Sequence, residues 1–237
     1  LRWGARMRET AAVDYMVGIL TDPFDKVHMG ITAENVAARF GITRQMQDEL
    51  AVTSQQRAAR AIAEGRFREQ IVPVEIPSRK GPVRFDADEH PKATSLEALA
   101  GLKAVFQKDG TVTAGNASGI NDGAAALVLA RAAAAAKAGL KPRARIVGYA
   151  HAGVRPEVMG IGPVPAVAAL LGRTGLSAGD FDVIESNEAF AAQALAVSKQ
   201  LGLDPAKVNP NGGAIALGHP VGATGAILAV KALYELE

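Results

Sequence analysis

The alternation of apolar and polar positions is most regular between Thr43 and Gly65. Met46, Leu50, Ala51, Ala58, Ala61 and Ile62 fall there on one side of a predicted helix running through Glu64, which Thr43 caps and Gly65 stops. Beyond it, Ile71-Val72-Pro73-Val74-Glu75-Ile76 alternates with the period of a strand, which Pro73 confines to an edge, and Arg79-Lys80-Gly81 forms the next turn. The pattern then weakens. From here to Thr111 the chain is polar and loop-rich apart from a short helix near Ser95–Leu102, and so long an irregular stretch is usually functional or disordered.

Gly115, Gly119 and Gly123 punctuate the following segment. Ala124–Ala130 reads as buried strand or helix, and Arg131–Ala138 as an alanine-rich helix ended by Gly139. Regular order follows: a strand at Arg145–His151, a helix at Ala166–Arg173, a strand at Phe181–Ser186, a helix at Ala189–Leu201 stopped by Gly202, and a helix at Pro220–Leu236. Strands alternating with helices predict an α/β fold with a parallel or mixed sheet covered by helices. A boundary between an irregular and a regular part falls near residues 121 to 143, and no repeat of the short solenoid periods is visible.

Composition narrows the class. The 237 residues suffice for one large domain or two small ones, given domains of roughly 100–150 residues. The apolar content is 49% with only 5% aromatic, so it is mostly Ala, Val, Leu and Ile, which suits layered helix and sheet packing. A formal charge of +2, from 26 basic and 24 acidic residues, excludes a nucleic-acid footprint or a polybasic membrane anchor. No apolar run approaches the roughly 20 residues of a membrane-spanning helix, and the first residues lack a signal-peptide pattern, so a soluble, cytoplasmic protein is expected. Cysteine is absent, which removes disulfides, thiolate metal sites and a thiol nucleophile from these residues. The chain starts at Leu1 and stops at Glu237 within a helical pattern that lacks a Gly or Asn cap, so both ends read as cut.

Four stretches could carry chemistry. Asn187 follows the strand Asp182–Ser186, and ligand sites in α/β sheets lie at the carboxyl ends of strands; the competing reading is that Asn187 caps the next helix. Glu188 beside it reads as an acid in the first turn of that helix. In Asn209-Pro210-Asn211-Gly212-Gly213-Ala214-Ile215-Ala216-Leu217-Gly218-His219-Pro220-Val221-Gly222-Ala223-Thr224-Gly225, the glycines imply close backbone approach, with Pro220 at the first helical position. His219 would then lie at a positive helix end whose dipole favours a neutral imidazole able to take a proton. The spacing fits neither a phosphate-gripping loop nor a metal site. Val27-His28-Met29-Gly30, ahead of Thr32-Ala33-Glu34-Asn35, sets an imidazole beside a thioether, where a packed pair under a loop is the plainer reading. Thr111–Gly123 is dense in small residues, which admit a ligand to the backbone or build a tight turn.

Taken together and in this order, His28-Met29-Gly30, Thr113–Gly123, Asn187-Glu188-Ala189-Phe190 and Gly218-His219-Pro220 resemble the thiolase family over essentially the whole chain. The bacterial acetyl-CoA acetyltransferases and β-ketothiolases are the most similar branch. The decarboxylating condensing enzymes share the ancestral fold but do not usually combine Asn-Glu-Ala-Phe with Gly-His-Pro. The resemblance implies an α/β fold of layered α-β-α-β-α type, incomplete here, with an irregular α+β loop domain. It divides the chain into the loop domain at 1–121, the last core elements of the first half at 122–142, and a truncated C-terminal domain at 143–237.

It further implies an acyltransferase that performs a reversible Claisen condensation of two acetyl-CoA, or cleaves a 3-ketoacyl-CoA with coenzyme A. His219 would activate a nucleophilic cysteine and help form the oxyanion hole; Asn187 would hold a water that contributes to it. The matches of His28, Met29, Ala114, Ser118, Met159, Ala189 and Phe190 would surround the coenzyme A thioester and pantetheine. The arginine that meets the nucleotide end in relatives falls near Lys92, one residue out of step, where a lysine supplies a point charge without a planar fork. No resident cofactor or metal is implied, since coenzyme A is substrate and product. The two family cysteines are expected upstream of Leu1 and downstream of Glu237. Relatives imply a tetramer built as a dimer of dimers, with Leu1–Tyr15 near the dimer contact. A non-catalytic coenzyme A-binding or scaffold protein is the alternative, and the sequence leaves acyl chain length and reaction direction open.

Overall fold

A computed structural model describes residues 12–237. The predicted central helix is there: α3 spans Arg44–Ala63, and Thr43 caps it by accepting the Met46 N–H at 3.2 Å. Its inner face differs from the apolar stripe expected. Ala51, Ala58 and Ala61 are buried, but Gln47, Asp48, Ser54 and Gln55 share that face, and Ile62 is 46% exposed. Small alanines let neighbouring backbone approach α3 closely, while the polar side chains are bonded to other parts of the chain, as buried polar groups must be.

Ahead of α3, α1 (Tyr15–Ile19) and α2 (Met29–Phe40) precede a left-handed Gly41. After α3 comes a hairpin of β1 (Val74–Ile76) and β2 (Val83–Phe85), antiparallel with Glu75 opposite Arg84. The expected strand is thus shortened to its second half, and β2, only three residues long, left no readable alternation. Next come α4 (Leu96–Ala100), capped by Ser95, and α5 (Ala132–Lys137). A 3₁₀ turn at Pro156–Ile161 leads into α6 (Pro163–Thr174), a second 3₁₀ turn follows at Ala178–Asp180, and α7 (Ala191–Leu201), α8 (Ala214–Leu217) and α9 (Thr224–Glu235) complete the described elements.

Two apolar clusters hold these together. One joins Val36, Ala37 and Ile42 to Val158, Ala192 and Ala196, packing α2 on α7 and the 3₁₀ turn. The other joins Ala51 of α3, Leu99 of α4, Ala191 of α7 and Ile215 of α8. Among the described residues no helix is long and apolar enough to cross a membrane.

Three expected elements are absent. Ala124–Ala130 forms neither strand nor helix, and Arg145–His151 and Phe181–Ser186 are not strands; only Ile184 makes an isolated parallel bridge, to Val208. A strand exists only when a neighbouring segment accepts and donates its backbone hydrogen bonds, and among the described residues the first two segments have no such neighbour. The last helix also starts later than expected, at Thr224 instead of Pro220. The expected dimer contact at Leu1–Tyr15 lies largely outside the described residues.

Candidate active site

The four stretches converge. Thr113–Asn121 runs between the others: Ala117 bridges Phe190 antiparallel, Ile120 bridges His219 in parallel, and the Ala191 N–H donates to Asn116 O at 2.9 Å. Ser118 donates twice to Ala189 O, through its N–H at 3.0 Å and its hydroxyl at 3.1 Å. This segment is anchored from behind. Glu34 of α2 accepts from the N–H and hydroxyl of Thr111 and from the Val112 N–H, all at 2.8–2.9 Å. Asp48 of α3 accepts the Asn116 side-chain amide at 2.9 Å.

The His28 stretch joins through aromatic contacts. His28 caps α2 by accepting the Gly30 N–H on Nδ1 at 3.0 Å, and its ring stacks on Phe106 with centroids 4.8 Å apart. Phe106 in turn meets Phe190 edge-on at 6.0 Å. A side chain at Gly30 would enter the Phe106 ring, its Cβ lying 2.2 Å from the ring carbons. Phe106 escaped sequence reasoning because it lies in an irregular stretch with no period to mark it.

At the centre, Asn187 Nδ2 lies 3.3 Å from His219 Nε2. The helix-capping reading of Asn187 does not hold: α7 begins at Ala191, with Phe190 at the cap position. Glu188 is likewise no first-turn acid. It is buried and accepts from Ser54 Oγ at 2.7 Å, Asn209 Nδ2 at 2.9 Å and the Ile215 N–H at 3.3 Å, so it locks the 209–215 loop against α3. A Cβ at Gly213 would lie 2.2 Å from its carboxyl carbon, which is why this loop needs glycine there.

His219 is held on three sides. Asn121 Oδ1 accepts its backbone N–H at 3.2 Å, and the same oxygen would meet a Cβ on Gly218 at 2.4 Å, where φ is +92°. Thr224 Oγ1 lies 2.7 Å from Nδ1, and Asn187 faces Nε2. Burial pushes the His219 pKa below its ordinary 6.5. The neutral imidazole expected from the sequence therefore has another cause: not a helix dipole, since α9 starts five residues on, but desolvation. Burial lowers His28 in the same direction.

The remaining expected residues are less closely gathered. Ala189 and Phe190 flank the centre; Met29 opens α2; Ala114 is exposed at the start of the small-residue segment. Met159 is 40% exposed on the 3₁₀ turn, whose Gly160 abuts Gln193 of α7. The Lys92 side chain is exposed, while its N–H donates to Gln55 Oε1 at 3.0 Å. A cleft of about 280 Å³ between α3 and α7, lined by Met46, Leu50, Leu195 and Val208, includes neither Asn187 nor His219.

Comparison with known proteins gives two family matches that together take in nearly the whole chain. Residues 1–133 match the family described as thiolase, N-terminal domain, and residues 140–237 that described as thiolase, C-terminal domain. The β-ketothiolase BktB of Cupriavidus necator is 60% identical over 100% of this chain and 60% of its own length. An acetyl-CoA acetyltransferase of Pseudomonas aeruginosa is 56% identical over 99% of this chain and 61% of its own. Among solved structures, the Bacillus anthracis acetyl-CoA acetyltransferase superposes with a TM-score of 0.93 at 51% identity, over 99% of this chain and 60% of that one. Human mitochondrial 3-ketoacyl-CoA thiolase gives 0.89 at 43%, over 100% and 60%. The chain thus spans about 60% of the length of the curated relatives it matches.

Proposed function

This chain belongs to the thiolase family, and on that premise we propose that the protein it represents is an acetyl-CoA C-acyltransferase. It would join two acetyl-CoA into acetoacetyl-CoA and free coenzyme A, or cleave a 3-ketoacyl-CoA with coenzyme A. The observation that carries this reading is the approach of Asn187 Nδ2 to His219 Nε2 at 3.3 Å, made by two motifs 32 residues apart.

In this reading His219, kept neutral by burial, takes the proton of a thiol at Nε2 and then donates that N–H to the developing oxyanion. Asn187 Oδ1, buried without a partner among the described residues, holds the water of the oxyanion hole. The nucleophile and the second acid–base group would be the two cysteines that the thiolase resemblance implies, neither of which is among these 237 residues. His28, Met29, Ala114, Ser118, Met159, Ala189 and Phe190 line the pantetheine path, with Lys92 toward the nucleotide. We also propose the division at 1–121, 122–142 and 143–237, a cytoplasmic tetramer built as a dimer of dimers, and no resident cofactor.

The test is coenzyme A-dependent loss of acetoacetyl-CoA with the full-length gene product. His219→Asn should lower kcat by about 10²–10⁴-fold with little change in KM. A folded full-length protein without turnover would overturn the reading. The absence of cysteine favours a second reading for the 237 residues by themselves, binding of coenzyme A thioesters without turnover. Calorimetric titration with acetyl-CoA decides that: no heat with the folded chain removes it.

A further inference from the structure

The proton on the His219 ring can be placed from its two neighbours. A threonine hydroxyl has one hydrogen and accepts through its lone pairs, and a neutral imidazole carries one N–H. Thr224 is buried, at 7% exposure, and its Oγ1 lies 3.0 Å from Pro220 O, an atom that can only accept. Pro220 O also takes the Ala223 and Thr224 N–H groups at 2.8 and 2.9 Å, and the hydroxyl joins them in the back-bond to the carbonyl four residues earlier that helical threonines commonly make, which uses its only hydrogen. The same Oγ1 is 2.7 Å from His219 Nδ1, so that contact is made by an Nδ1–H donating to the threonine oxygen. On the opposite edge of the ring, Asn187 Nδ2 is a donor at 3.3 Å and needs a lone pair on Nε2. The Thr224 contact sets the tautomer, and the orientation of the Asn187 amide, whose oxygen and nitrogen ends can exchange places, follows from it.

We propose that Thr224 is a positioning residue that holds His219 in the Nδ1–H tautomer, so that proton exchange at this site passes only through Nε2. The chemical significance rests on the acyltransferase reading. A base that takes a thiol proton and returns it as an oxyanion donor must do both at the atom facing the reaction, and Nδ1 stays engaged throughout. Nothing near Thr224 in the sequence signals this role, since a threonine at the start of a helix also reads as an ordinary cap.

The tautomer can be read without turnover. Histidine-¹⁵N-labelled protein of this chain contains four histidines, and His219 is assigned by the signal lost in His219→Gln. Long-range ¹H–¹⁵N correlation at neutral pH is expected to show a protonated Nδ1 and an unprotonated Nε2. Thr224→Val, which keeps the shape and removes the oxygen, should give a mixture or the reverse, and Thr224→Ser should restore the parent pattern. An Nε2–H tautomer in the unsubstituted protein overturns the proposal, and so does an unchanged pattern in folded Thr224→Val. If the valine variant does not fold, the unsubstituted spectrum still decides. In the full-length enzyme Thr224→Val should lower kcat roughly tenfold, the weight of one neutral hydrogen bond, leaving KM in place, and Thr224→Ser should recover it. Absence of turnover with the expected spectrum would count against the acyltransferase reading alone.

Discussion

Two regions of this molecule are similarly apolar in sequence and opposite in their surroundings. Around α3 and α7, Val36, Ala51, Ala191 and Ala196 are fully shielded from solvent. In the stretch from Ile120 to Tyr149, Val128 is 95% exposed and Tyr149 78%, and most of the backbone forms no hydrogen-bonded ladder. The difference lies in what reaches each region from afar. Gln47, Asp48, Ser54 and Gln55 of α3 bind Thr111, Asn116, Glu188 and Ile215, each from a distant part of the chain. Past Asn121 the open stretch receives few such bonds among the described residues, chiefly Arg143 to Glu237 and Arg173 to Tyr149 O. Apolar content therefore supplies a tendency to be buried, and only a partner turns that tendency into structure.

Substitutions can break or sharpen this contrast. The largest effect is expected at Lys231, whose buried ammonium donates to Glu185 at 2.7 Å and to Gly212 O at 2.6 Å. Lys231→Leu leaves the Glu185 carboxyl, also buried, without its partner and should cost about 3–5 kcal/mol in urea unfolding. Replacing both residues with leucine should cost less. A small loss for the single change would mean that the packed region is open in solution. Val36→Ala comes next, at about 2 kcal/mol for the lost methyl groups and the void they leave.

A smaller effect should follow pH. Unfolded, His219 takes up a proton near its ordinary 6.5, and burial holds the folded pKa below that. As pH falls through 6.5 the unfolded chain binds the proton first, so stability drops and then levels off beneath the folded pKa. His28 contributes with the same sign. Chemical unfolding at successive pH values should show this decline, and His219→Gln should remove its own part. Smallest of all is Val128→Ser, expected within about 0.5 kcal/mol in this chain because the side chain touches little. A loss as large as that of Val36→Ala would show Val128 to be covered in solution.

Much of the fold near the site was legible. Thr43, Gly65, Ser95 and Gly202 mark helix ends through local backbone chemistry, and the helices they bound lie within a residue or two of expectation. The glycine-framed His219 and the segment after Asp182–Ser186 pointed to the two groups that meet. Asn121, Thr224, Phe106 and the interior role of Glu188 were not legible. Asn121 meets His219 across 98 residues and Glu188 meets Ser54 across 134, and no periodicity encodes such a meeting.

The sequence by itself determined the short-range events: where helices start and stop, where backbone approaches too closely for a side chain, and membership of the thiolase family. The tertiary structure decided which apolar segments found partners, why His219 is neutral, and which edge of its ring faces Asn187. Helix caps and turns depend on atoms a few residues apart, so residue type and spacing carry them. Burial, desolvation and the direction of a single hydroxyl hydrogen depend on atoms that only the folded chain brings within about 3 Å of each other.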